Sequence, residues 1–175
     1  MSEFIFLTGQ YLPKPGATGL CIHNIAKELA SKGHKVTTIC YDDGIKLDRA
    51  DGVNIVKIRI PDHLKVIQTN NIFKKKTILF LSRLSKLINI RNYPLRSKYL
   101  IKKYAYAAEP LIKDENDIFV IASYVPLEAV AALEILKKKH PNVKTIYYSA
   151  DTLSNEQGNS SILSQQKREV MGLKW

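Results

Sequence analysis

EFIFLTGQYLPKPGATGLCIHNIAKELASKGHKVTTICY, residues 3–41, passes from an apolar run through a loop bearing glycine and proline into a helical pattern, then a β-branched run. EFIFLTG (3–9) reads as a buried strand. Leu20, Ile22, Ile25, Ala26, Leu29 and Ala30 recur at helical spacing, and Gly33 follows as a stop. HKVTTICY (34–41) is strand-like again. The unit is therefore strand–helix–strand.

The same alternation continues outward. VNIVKIRI (53–60) is a strand ending at Pro61, while DIFVIAS (117–123) and VKTIYYSA (143–150) are two more. Helical patterns fall at about 72–90, 95–112 and 126–139, and the tail SSILSQQKREVMGLKW (160–175) is weakly helical. Continuous apolar strands alternating with helices imply a parallel sheet covered on both faces. The expected fold class is α/β: a doubly wound, mostly parallel, Rossmann-like sheet with helices on both faces, in a single domain over residues 1–175. Ligands of such sheets gather at the carboxyl ends of the strands. Here those ends are the loops beginning near Gly9, Tyr41, Ser123 and Ala150.

The loop after the first strand is longer than a strand-to-helix turn needs. Its glycines, Gly9, Gly16 and Gly19, do not fit G-x-G-x-x-G, so a dinucleotide fingerprint is absent. Gly16 and Gly19 would let the backbone approach a ligand, and the free N–H groups at a helix start favour an anion. An ordinary glycine-rich connection is the alternative.

Charge is unevenly distributed. Of 27 Lys and Arg residues, eleven lie within 63–108, a segment with no Asp or Glu; the remaining 16 balance the 16 acids. The first basic helical pattern is read with Phe80, Leu84 and Leu87 on one side and Lys76, Arg83 and Lys86 on the other, and Lys74, Lys75, Lys76, Arg83 and Lys86 are the candidate membrane-surface residues. Three readings stand: a solvated face, a surface for anionic lipid headgroups at roughly 1 kcal/mol per base, or a non-specific nucleic-acid surface. No recognised nucleic-acid module accompanies the charge, so no specific nucleic acid is expected. The longest apolar runs, such as ILFL (78–81), fall far short of the ~20 residues that span a bilayer. MSEFIFLTG does not read as a signal peptide. Cys21 and Cys40 show no paired spacing and are expected to be buried thiols in a reducing compartment.

The order of residues in FIFLTGQYLPKPGATGLCIHNIAKELASKGHKVTTIC resembles the opening of the family 4 glycosyltransferases of the GT-B fold. The matching elements are Tyr11 and Pro13, the loop Gly16 to Gly19, and Leu29, Gly33, His34 and Val36. DIFVIASYVPLEAVAALEIL (117–136) is similar to a strand–loop–helix block of the same family, and TIYYSADTLSNE (145–156) to a strand ending in Asp. The resemblance implies two facing Rossmann-like domains, of which this chain supplies the amino-terminal, acceptor-side one. The carboxy-terminal donor-binding domain is absent from the sequence; it would lie in a longer polypeptide or a separate chain. Without it, little or no transferase activity is expected.

What the resemblance implies for the site is specific. Gly16, Ala17, Thr18 and Gly19 would face the diphosphate of a nucleotide sugar; Tyr11, Ser123 and Tyr124 would line the acceptor pocket; and Asp151 is the tentative catalytic carboxylate. The donor is a nucleotide diphosphate sugar, with no cofactor and no metal held by the protein. The acceptor is a lipid-linked or saccharide molecule, and the enzyme is cytoplasmic, peripheral on the inner face of the membrane. His23 and His34 are expected to be structural, and His63 and His140 show no partner. Two rival readings are a non-catalytic membrane-anchoring subunit of a split glycosyltransferase and a basic nucleic-acid-binding α/β domain.

Overall fold

Alternation of strands and helices yields one six-stranded sheet. The computed structural model describes residues 1–60, 80, 95, 97–113 and 117–149. Asp151, Lys74, Lys75, Lys76, Arg83 and Lys86 lie outside the described residues, as do the first basic helical pattern apart from Phe80 and the carboxy-terminal tail. The described chain runs β1 (Glu3–Leu7), α1 (Ala17–Ser31), β2 (Lys35–Tyr41), β3 (Arg49–Ala50) and β4 (Val53–Ile58). It continues with α2 (Lys98–Ala108), a 3-10 turn (Glu109–Leu111), β5 (Ile118–Ser123), α3 (Leu127–Lys139) and β6 (Lys144–Tyr148).

The strand order is β3-β4-β2-β1-β5-β6, parallel throughout except for the short antiparallel β3. Central β1 pairs Glu3 with Lys35 on one side and with Ile118 on the other. The chain thus works outward from β1 through β2 to β4, then crosses over to β5 and β6. The order reverses between β1 and β5, and that seam is the switch point where a doubly wound sheet opens a crevice.

Successive side chains of a strand face opposite ways, and here both faces are covered. Ile5 and Leu7 point with Ile39 and Val120 toward α2 and α3, meeting Leu100, Tyr104, Leu133 and Leu136. Phe6 points with Val36, Cys40, Val53 and Ile121 toward Ile22 and Ala26 of α1. Each such fully buried large apolar side chain contributes about 1.5–3 kcal/mol.

Local signals account for the helix ends. Gly33 takes φ +82°, and the amide of Gly33 donates to the carbonyl of Ala30 while His34 donates to Leu29, closing the end of α1. Ser97 caps α2, its hydroxyl accepting from the amide of Leu100 at 3.2 Å. Lys137, Lys138 and Lys139 stand in the last turn of α3, where cations suit the helix dipole.

The buried stripe of α1 is Gly19, Ile22, His23 and Ala26. Leu20 and Ile25, expected inside on apolar character, are 50% and 38% exposed. The helix is rotated so that a glycine and a histidine face inward, at i and i+4. Cys21 turns outward by the same rotation: it is exposed, whereas Cys40 is buried as expected.

Candidate functional site at the switch point

Two loops converge above the seam between β1 and β5, one over residues 8–16 and the other over 124–126. Gly9 is the contact between them. A Cβ there would lie 3.2 Å from Cδ of Pro126 and 3.3 Å from the ring of Tyr41, so a side chain would press these neighbours apart by a few tenths of an ångström. Backbone bonds fix the end of β1, with Thr8 donating to Ile39 and Tyr41 donating to Gly9. From α2, the Tyr104 hydroxyl donates to the carbonyl of Thr8 at 2.6 Å. Burial pushes that phenol well above its ordinary pKa, so it remains a donor.

Gly19 proves to be a packing glycine. A Cβ at this position would stand 2.1 Å from the Gln10 carbonyl oxygen, so α1 rests directly on the loop's backbone. Close approach was expected here toward a ligand; the nearest group is instead the protein's own main chain. Gly16 differs: a Cβ there would meet the flexible end of the Gln10 side chain, at 3.2 Å.

Gly16 is the N-cap of α1, with no side-chain cap and no acidic residue in the first turn. Ala17 is exposed and Thr18 half-buried. The other two described helices begin differently. α2 has its Ser97 cap; α3, like α1, has no side-chain cap but carries Glu128, buried, in its first turn. A carboxylate oxygen of Glu128 accepts from the amide of Ser97 at 3.1 Å. The first amides of α1 therefore present positive potential that no side chain of the helix neutralises.

The residues expected to line an acceptor pocket are all buried. Tyr11 is 4% exposed and its hydroxyl is 2.8 Å from Nδ1 of His23. Burial raises the Tyr11 pKa to about 12. The Ser123 hydroxyl donates to the carbonyl of Val125 at 2.8 Å and lies 3.1 Å from the Thr8 hydroxyl. Tyr124 packs edge-on against Tyr147, with ring centroids 6.2 Å apart. These hydroxyl-bearing side chains lie inside the two loops, while Gln10 and Val125 of the same loops are exposed. Both loops contain a cis X-Pro bond, at Leu12–Pro13 and Val125–Pro126.

Sequence reasoning did not find the partner of Tyr11. His23 bonds onward through Nε2 to Oδ2 of Asp51 at 2.9 Å, and Lys27 stands 3.7 Å from Oδ1. The hydrogen bond from His23, aided by Lys27, holds the Asp51 carboxyl below its ordinary range. The only available signal was the four-residue spacing of Gly19 and His23 on one helix face. Among the described residues no group of three or more His, Cys, Asp or Glu could hold a metal ion, and no helix is long and apolar enough to cross a membrane.

No protein-family model and no curated protein sequence matches the chain. Among solved structures, a UGT transferase from Siraitia grosvenorii in complex with UDP matches 88% of this chain at 14% identity, with a TM-score of 0.41. This chain spans 28% of the length of that protein.

Proposed function

We propose that this chain is the acceptor-side, amino-terminal domain of a retaining glycosyltransferase of the GT-B type, similar to family 4. It would act with a donor-binding domain on a nucleotide diphosphate sugar and a lipid-linked or saccharide acceptor at the membrane. The observation that carries the reading is the uncapped start of α1 beside the switch point. Gly16 adds no side chain, Ala17 is exposed, and no acid stands in the first turn, so the amides of Ala17, Thr18 and Gly19 suit diphosphate oxygens. The sequence resemblance, in the order of its blocks, supplies the reaction class.

In this reading the amides stabilise charge developing on the leaving diphosphate, an electrostatic contribution that needs fixed dipoles. Thr18 can add its hydroxyl. Gln10 and Val125 border the acceptor, on walls built by Tyr11, Ser123 and Tyr124. Asp151 is proposed to orient or deprotonate the acceptor hydroxyl, and Lys74, Lys75, Lys76, Arg83 and Lys86 to meet anionic lipid.

Titration of the 15N-labelled chain with UDP tests the proposal. Amide shifts concentrated at Gly16–Gly19, competed by pyrophosphate and absent with uridine, are the expected result. Equal shifts with uridine, or shifts elsewhere only, would count against it.

A further inference from the structure

Gln10 and Tyr11 are held to one face of α1 at two points, a helical turn apart. At Gly19 the helix backbone touches the carbonyl of Gln10, and at His23 the ring takes the hydroxyl of Tyr11. A third element enters through Asp51, in the turn between β3 and β4. Asp51 has φ 48°, the left-handed region that a non-glycine residue occupies at some cost, and its carboxylate reaches the ring from there. Tyr11 is 4% exposed and His23 6%, so water cannot readily replace a partner lost between them.

The direction of these bonds follows from their chemistry. An ionised carboxylate only accepts, so Nε2 of His23 carries the proton that it donates to Asp51. In the neutral ring this leaves Nδ1 with its lone pair, and the Tyr11 hydroxyl donates into it. The chain runs one way, from phenol through imidazole to carboxylate.

We propose that His23, as its Nε2–H tautomer, is a positioning residue for the start of α1. It ties the loop, the helix and the β3–β4 turn into one unit and thereby keeps the amides of Ala17–Gly19 aimed at the crevice. The proposal rests on the diphosphate reading given above. It assigns His23 no contact with the ligand.

The test uses the full 175-residue chain. Long-range 1H–15N spectra should show a single His23 tautomer with the proton on Nε2, and amides of Leu20–His23, the first bonded turn of α1, slow to exchange. Tyr11→Phe should leave the proton on Nε2, where Asp51 holds it, but speed that exchange about tenfold. It should also weaken UDP binding about three- to tenfold, the worth of one hydrogen bond. Should Tyr11→Phe fail to fold, Asp51→Gly supplies the second variant, since glycine accepts φ 48° and takes away the carboxylate with the rest of the side chain; a mixture of tautomers is expected. Asp51→Asn, whose amide oxygen still accepts, should restore the single tautomer. A wild-type His23 protonated on Nδ1, a single unchanged tautomer in Asp51→Gly, or unchanged exchange at Leu20–His23 in both disruptive variants overturns the relay. Wild-type chain with the tautomer and protection intact but no UDP shifts overturns the diphosphate reading instead, leaving the clamp supported.

Discussion

α1 and α3 begin on opposite sides of the same seam, one after β1 and the other after β5, yet their first turns are built differently. α3 brings its own anion: Glu128 is buried there and bonded to the amide of Ser97. α1 brings none, and its N-cap is a glycine. Neither start has a side-chain cap, but only α3 has an acid in its first turn, and that acid also reaches the N-cap amide of α2. The contrast teaches that an open helix start is not simply a consequence of the fold, because the same fold supplies a carboxylate next door.

The largest test concerns how α1 is seated. Gly19→Ala drives a methyl group into the Gln10 carbonyl, so it should lower stability by about 3 kcal/mol, read as a shift in the urea midpoint at unchanged slope. A near-neutral result would mean that α1 does not rest on the loop. Next, Glu128→Gln weakens a charged acceptor to a neutral one and should cost about 1 kcal/mol, while leaving UDP binding unaltered. Altered binding would show that the start of α3 also takes part.

Gly16→Asp gives α1 the anion it lacks. Stability should rise by about 0.5 kcal/mol through the cap and the helix dipole, whereas UDP binding should be lost. A variant that gains stability and binds UDP as before would remove the start of α1 from the site. The smallest effect is on pH dependence. Asp51 titrates below its ordinary value of 3.8 in the folded chain, so its contribution is present above that value and is lost as pH falls through the lower folded value. Asp51→Asn should flatten the acid limb of the stability curve in that window, and a limb as steep as before would argue against the His23–Asp51 bond.

Much of the fold was legible because periodicity reports burial. EFIFL, KVTTICY, VNIVKI and IFVIAS became strands where β-branched and aromatic runs placed them, and Gly33 stopped the first helix. The rotation of α1 was not legible. Gly19 and His23 face inward for reasons that hydrophobicity does not carry, one by lacking a side chain and the other by bonding to Tyr11. β3 was missed because two residues, Arg49 and Ala50, carry no period. The sequence singled out the loops that follow β1 and β5 but not the uses of their side chains. The hydroxyls of Ser123 and Tyr11 are already engaged inside the protein, Ser123 with nearby Val125 and distant Thr8, and Tyr11 with His23 twelve residues on.

The register of β1 has a bearing on how the protein is made. Its partner in β2 follows within one helix, while its partner in β5 arrives only after most of the described chain has been synthesised. Contacts between distant segments form slowly because closing the intervening loop costs entropy. The seam between β1 and β5 is thus assembled late, and a nascent chain halted before Ile118 would leave that edge of β1 unpaired.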